Sequence, residues 1–169
     1  MQTVTEQQDS MLASVAHNVP AEKTKNTKIK VQSRFGEIEV DLATTIVFKH
    51  GLLGIPEAVN FVLTALPNVG TDQFKLLQSL DDMSLSFIVV PADYENQIIE
   101  TKDLKDACEI LSINTDNLLV LFVVTVIETG KERRVSVNAK APVLVDAVNR
   151  KAAQYVLQSD KYEIQHMIS

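Results

Sequence analysis

The chain has 169 residues, 46% of them hydrophobic and only 5% aromatic, so it can form one domain with a largely aliphatic core. Its net charge of −6 argues against non-specific nucleic-acid binding, which needs clustered lysines and arginines. A single cysteine, Cys108, excludes an internal disulfide and a zinc site built from several cysteines.

The N-terminal residues 1–26 are rich in polar side chains apart from a short apolar run at 11–16. Because this composition cannot offset the entropy of ordering, we expect a disordered tail followed by a single domain at 27–169. The N-terminus lacks a basic start followed by an apolar stretch, which argues against a secretory signal. The longest apolar run, 118–127, is too short to cross a bilayer as a helix. We therefore expect a cytoplasmic protein.

Alternating apolar and polar residues predict a β-hairpin at the start of the domain, with its turn at Gly36. Two short strands are predicted at 46–48 and 61–63. Between them, the sequence HGLLGIP at 50–56 has two glycines and a proline, which indicates a shaped loop. We expect the leucines of this loop to be buried or covered by a partner.

A second hairpin is predicted at 74–91, where two alternating runs flank the turn residues Asp81 to Ser84. Both faces of these strands are apolar, so we expect the hairpin to be covered on both sides and to lie centrally in the fold. Pro91 fits the end of its second strand, because proline has no N–H to donate.

The best predicted helix spans Asp103 to Leu111, with one apolar stripe that includes Cys108. Either Thr101 or Asp103 can cap its N-terminus. We interpret Cys108 as a core residue rather than a nucleophile, because no base accompanies it in the sequence.

The remaining chain predicts a long, doubly apolar strand at 118–127, a turn at 128–131 and a partner strand at 132–137. The sequence NAKAP at 138–142 then breaks the strand, and short apolar segments follow. Many short strands with close turns predict a mainly β fold. We expect an antiparallel β-barrel-like or curled sandwich architecture with one or two short helices.

Charge is unevenly distributed along the chain. Residues 93–116 carry seven acidic side chains against two lysines, whereas residues 131–161 have a net charge of +4. The acidic segment is either a docking face for a basic partner or a solvated surface that keeps the protein soluble. The candidate partner-binding residues are Asp93, Tyr94, Glu95, Asp103 and Asp106.

Catalytic and metal-binding motifs are missing from the sequence. The three histidines stand apart from other ligands, and no glycine-rich phosphate loop or serine nucleophile motif occurs. Asp81 and Asp82 could form an acid–base pair, but adjacent aspartates at this position are more typical of a turn. We expect a binding protein without a cofactor or a catalytic activity.

Several stretches resemble the family of flagellar assembly factors called FliW. They are RFG at 34–36 with its following strand, Phe48 with GLLG at 51–54, LQSLDD at 77–82, LSF at 85–87, NAKAP at 138–142, and Gln154 with the closing Tyr162 and His166. The chain departs from the family pattern at Lys49 and His50, at Ile55 and Pro56, and at Ala139. The motif positions are Gly51, Gly54, Gln78, Ser79, Asp81, Pro91, Asn138, Ala141 and Pro142.

The resemblance implies a small β-barrel-like protein without catalytic activity that binds cytoplasmic flagellin. It also implies binding to CsrA, an RNA-binding repressor of flagellin translation, away from the RNA site of CsrA. The protein itself is expected to contact neither nucleic acid nor membrane and to be a monomer when free. The alternative is a β-barrel that holds a small apolar ligand or performs an unrecognised reaction. The two hypotheses differ in whether the barrel interior is filled.

Overall fold

A computed structural model describes residues 25–93 and 97–169 of the chain. Most of the predicted tail, residues 1–24, and the candidates Tyr94 and Glu95 lie outside the described residues. The described ranges contain eleven strands, one α-helix and two short 3-10 turns at Leu42–Thr44 and Thr115–Asn117. The strands and the helix are β1 (Lys28–Ser33), β2 (Gly36–Asp41), β3 (Ile46–Phe48), β4 (Asn60–Ala65), β5 (Lys75–Ser79), β6 (Ser86–Pro91), α1 (Thr101–Leu111), β7 (Leu118–Thr129), β8 (Glu132–Val137), β9 (Val143–Asp146), β10 (Lys151–Gln154) and β11 (His166–Met167).

Seven strands close into a barrel in the order β7-β6-β5-β4-β3-β10-β9, and the pairing of β7 with β9 completes the ring. The long strand β7 makes this possible because its first residues pair with β9, its middle with β6 and its second half with β8. The mainly β, barrel-like prediction is confirmed. The expectation of antiparallel pairing is wrong for β3 and β10, which run parallel. A closed ring of seven strands cannot alternate direction throughout, so at least one neighbouring pair must be parallel.

Large apolar side chains fill the barrel interior. Phe48 and Phe61 meet edge to face with their ring centroids 4.9 Å apart. Leu77, Val89 and Leu121 belong to the same core cluster, and all five side chains are fully buried. The fold therefore uses its interior for packing, as aliphatic alternation in the sequence indicates.

The β1–β2 hairpin forms a first outer layer over β4 and β5. Val31, Ile38 and Val40 of this hairpin pack against Val62 and Leu76 on the outside of the barrel. Neighbouring residues on a strand face opposite sides, yet Leu76 and Leu77 are both fully buried. The prediction that the central hairpin is covered on both faces is confirmed.

A second outer layer consists of α1 and the C-terminal segment, residues 155–169. Ala107 and Leu157 of this layer pack with Phe122 and Leu144 on the outer face of β7 and β9. Cys108 is buried, as predicted, and burial raises the pKa of its thiol. The capping prediction is wrong: the helix begins at Thr101, and the N-cap residue Glu100 makes no side-chain capping bond.

Candidate functional site

Most family-like motif positions meet at one end of the barrel, where the loop 49–59 joins β3 to β4. Gly51 has φ +64°, and a Cβ atom there would lie 2.4 Å from the carbonyl oxygen of Ile55. Leu52 and Ile55 exchange backbone hydrogen bonds of 3.2 and 2.9 Å, which fixes the loop. The loop buries Leu52 in the barrel core and leaves Leu53 55% exposed, so only the first leucine is buried.

Gln154 joins this loop to the NAKAP stretch at 138–142. Its Oε1 accepts the backbone N–H of Leu53 at 3.1 Å, and its Nε2 donates to the carbonyl oxygen of Ala141 at 3.1 Å. The Asn138 Oδ1 accepts the N–H of Ala141 at 2.9 Å and shapes the turn before Pro142. Two motifs that are about ninety residues apart thus form one hydrogen-bonded unit.

The β5–β6 turn is tied to the same end of the barrel through Asp81. Its carboxylate accepts the backbone N–H groups of Val59 and Asn60, both at 2.7 Å, and the Asn60 side-chain amide at 2.9 Å. These hydrogen bonds, above all those from Asn60, hold the pKa of Asp81 below its ordinary value. Ser79 Oγ accepts the N–H groups of Asp81 and of Asp82 at 3.2 and 3.0 Å.

Gln78 stabilises this turn through hydrogen bonds from its side-chain amide. Its side chain is fully buried, and its Nε2 donates to the carbonyl oxygens of Ser79, Met83 and Leu85 at 2.9 to 3.2 Å. Pro91 lies at the other end of β6, where it is paired with Leu121 of β7. These contacts give Gln78 and the turn residues a structural role that favours the turn interpretation of the two aspartates over an acid–base pair.

Two of the acidic candidates, Asp103 and Asp106, lie on α1 and have internal partners. Lys161 of the C-terminal segment makes ion pairs with Glu100 at 2.8 Å and with Asp103 at 2.9 Å. Asp106 pairs with Lys102 at 2.8 Å on the exposed helix surface. The acidic and basic segments seen in the sequence therefore meet at Lys161. Whether Asp93, Asp103 and Asp106 bind a partner stays a prediction.

Tyr162 takes the place of a local helix cap. Its hydroxyl oxygen accepts the N–H of Glu100 at 3.1 Å, and the hydroxyl donates to the Asp103 carboxylate. The hydrogen bond from the Tyr162 hydroxyl, and next the one from Lys161, lowers the pKa of Asp103. The carboxylates of Glu100 and Asp103 in turn raise the pKa of Lys161. This network holds the C-terminal segment against α1. No local sequence pattern indicates this network, because Asp103 and Tyr162 are 59 residues apart.

Two cavities adjoin on the outer surface between α1, the ends of β6 and β11. Their volumes are about 300 and about 720 Å³, and both are lined by Ala92, Asp93, Ile98 and Phe122. We call this continuous feature the outer trough. Sequence reasoning missed it because its lining comes from separate segments of the chain. Other lining residues include Leu104, Lys105, Leu118 and Leu119 in the smaller cavity, and Asp72, Val90, Met167 and Ile168 in the larger one.

Within residues 25–93 and 97–169, no group of three His, Cys, Asp or Glu side chains could hold a metal ion. The same ranges contain no helix that is long and apolar enough to cross a membrane.

Comparison with known proteins identifies close relatives. A family model described as FliW protein matches residues 29–168. The flagellar assembly factor FliW of Caldanaerobacter subterraneus subsp. tengcongensis is 33% identical over 143 residues, covering 79% of this chain and 88% of the relative. The FliW of Syntrophotalea carbinolica is also 33% identical, covering 82% and 96%. A crystal structure of the flagellar assembly factor FliW matches with a TM-score of 0.63 and 24% identity, covering 83% of this chain and 95% of that one.

Proposed function

Because the chain belongs to the FliW family of flagellar assembly factors, we propose that it binds flagellin in the cytoplasm and antagonises the translational repressor CsrA by binding it. Binding of both proteins would couple the synthesis of flagellin to its secretion. When flagellin is exported, the factor is free to hold CsrA, and translation proceeds. When flagellin accumulates, it occupies the factor, CsrA is released, and translation falls.

The observation that carries this proposal is the extent of the family match. It covers residues 29–168, which include the barrel and both outer layers, so the likeness is not confined to a shared core. The filled barrel interior also disfavours the alternative of a small-ligand carrier. Phe48, Phe61 and Leu121 occupy the space that such a ligand would need. Since the interior is filled, we expect partners to bind at the outer surface.

The charge of the chain supports a basic partner. A net charge of −6 steers association with positively charged proteins, and the acidic segment 93–116 concentrates that charge. An RNA-binding repressor presents basic surfaces, so we assign CsrA to the side of the molecule that carries Asp93 and α1. Asp93 and Glu95 precede α1 in the sequence, so reversing their charge changes no residue of the helix, and we choose them as the targets for mutation.

The test is the binding of purified flagellin and purified CsrA to the immobilised full chain at low and high salt. We expect both to bind, and we expect the double variant Asp93→Lys with Glu95→Lys to associate more slowly with CsrA and with a weaker salt dependence. The control is Glu57→Lys with Glu163→Lys, two exposed positions with the same change in net charge. If neither protein binds the parent chain, the proposal fails. If both double variants slow association equally, net charge rather than this segment steers CsrA.

A further inference from the structure

One side of the barrel has no outer layer within the described ranges. The β1–β2 hairpin packs on β4 and β5, and α1 with the C-terminal segment packs on β7 and β9. Neither of these outer clusters contains a residue of β3 or β10, which lie side by side in the ring. We call the outer face of β3 and β10 the third side. At its centre, Val47 of β3 is 43% exposed and is paired with the exposed Lys151 of β10.

Exposed apolar side chains gather at one end of the third side. The N–H of Val47 donates to the carbonyl oxygen of Arg150 at 2.9 Å, and the Arg150 guanidinium donates to the carbonyl oxygen of Ala43. These hydrogen bonds join the turn that carries the exposed Val148 to the turn that carries the exposed Leu42. Exposed apolar residues are ordinary when they are scattered singly, but a group on joined segments indicates a contact surface.

The described part of the chain begins beside this group. The N–H of Leu42 donates to the carbonyl oxygen of Thr27 at 2.9 Å, so residues 1–24 are tethered next to the same turn. An extended chain spans at most about 3.5 Å per residue, so the nine residues 17–25 reach about 30 Å. The strand β3 has three residues and neighbouring strands lie about 5 Å apart, so residues before 17 can reach all of the third side.

The sequence of the tail matches this surface. Residues 11–16, MLASVA, are its apolar run, and the ten residues before them include Glu6 and Asp9 but no lysine or arginine. Positively charged side chains border the third side, and the two carboxylates near them accept N–H groups within their own turns. The cations are Lys49, Arg150 and Lys151, and the two carboxylates are those of Asp41 and Asp146.

We propose that the apolar run 11–16 binds the third side of its own chain and covers Val47, with Glu6 and Asp9 near the bordering cations. The tether favours this occupant over a separate protein, because a short linker gives an effective concentration on the order of millimolar. The composition of residues 1–26 as a whole predicts disorder, and the proposal assigns a contact only to the apolar run. The family match begins at residue 29, so this contact goes beyond the family likeness and does not depend on the function proposed above.

A tryptophan in the run tests this proposal in the full chain. The sequence contains no tryptophan, so Leu12→Trp provides a single fluorophore. Binding to the third side predicts a blue-shifted emission and slower quenching by acrylamide than for N-acetyltryptophanamide. Adding Val47→Asp replaces the central apolar contact with a charge that repels Glu6 and Asp9, so we expect both values to move to those of the free amide. The matched control is Val69→Asp in the loop between β4 and β5, because Val69 is 41% exposed.

A second pair of variants tests the charges in the Leu12→Trp chain. Lys49→Glu with Lys151→Glu reverses two of the cations that border the third side, and we expect faster quenching. The control is Lys105→Glu with Lys131→Glu, two exposed positions outside β3 and β10 with the same change in net charge. Equal responses of the two pairs would overturn the charge assignment.

Thermal unfolding checks that each variant folds. If Val47→Asp does not fold, Val148→Asp replaces it, because Val148 is 70% exposed in a turn at the same surface. The proposal is overturned if the fluorophore of the folded Leu12→Trp chain emits and is quenched as the free amide is. It is equally overturned if a protected fluorophore stays protected with Val47→Asp, or is released to the same degree by Val69→Asp. Protection that grows with protein concentration would assign the run to a second copy and overturn binding within one chain.

Discussion

At the scale of single residues, two glycines of the loop 49–59 provide a matched comparison. Gly51 and Gly54 both have positive φ values, +64° and +84°, but only Gly51 has backbone atoms where a Cβ would be placed. A side chain at Gly54 meets open space and bears only the conformational cost of positive φ.

We expect Gly54→Ala to lower the free energy of unfolding by about 1–2 kcal/mol. Gly51→Ala should cost on the order of 4 kcal/mol or more, because the new methyl group would overlap the Ile55 carbonyl that the Leu52 pair holds in place. Urea unfolding of the two variants measures the difference. Equal losses would show that the loop relaxes around a new methyl group at position 51, so that the close approach to the Ile55 carbonyl does not affect stability.

The side chain of Gln154 bridges the loop 49–59 and the NAKAP stretch, and its contribution to stability can be measured. Gln154→Ala leaves the Leu53 N–H and the Ala141 carbonyl without their partner, and we expect a loss of about 1–2 kcal/mol in unfolding free energy. Gln158→Ala is the control, because the Gln158 side chain is exposed and donates to the nearby Val156 carbonyl oxygen. A loss at Gln154 no greater than that at Gln158 would contradict the bridging role.

Residue-level prediction from the sequence worked where the partner is local. The turn role of Asp81 follows from its position between two strands, and the burial of Cys108 follows from helical spacing. It was wrong for the start of α1, because the group that satisfies the Glu100 N–H is the hydroxyl of Tyr162. A cap supplied from a distant segment leaves no pattern in the helix sequence.

At the scale of elements, the contact between α1 and the C-terminal segment depends on ionised groups. Asp103 accepts from Tyr162 and pairs with Lys161, so its pKa is lowered in the folded state. A carboxyl group whose pKa is depressed by folding stabilises the fold above its unfolded pKa, near 3.8, and loses this contribution as the pH falls through the folded value.

We therefore expect Asp103→Asn to melt below the parent at neutral pH, and the gap to close as the pH falls below about 4. Tm values across this range measure the effect. Asp116→Asn, at an exposed position outside the network, serves as the control and should follow the parent throughout. A gap for Asp103→Asn that stays constant with pH would contradict the ionic contact.

Most strands were predictable as elements, because period-two alternation marks β1, β2, β5 and β6 directly. Which strands pair with one another in the sheet was not predictable. Nothing in the short sequence of β10 indicates that it lies beside β3, a strand about one hundred residues earlier. That pairing depends on closure of the whole ring, which is a property of the tertiary structure.

At the scale of the whole molecule, the barrel has a packed interior and two covered outer sides. Contacts with other molecules are therefore expected at its surface. The family match accounts for the fold, but surface features formed by separate segments arise only in three dimensions. The outer trough is an example, since Asp72, Ala92 and Met167 come together from segments that show no shared motif.

The most direct test of the central claim is displacement. A complex of the full chain with fluorescently labelled CsrA is titrated with purified flagellin, and release of CsrA is followed by fluorescence anisotropy. Competition between the two proteins predicts that flagellin lowers the anisotropy to the value of free CsrA, and that the apparent affinity for flagellin falls as the concentration of CsrA rises. If flagellin binds the complex and CsrA stays bound, the two proteins do not compete, and the proposed competition is wrong.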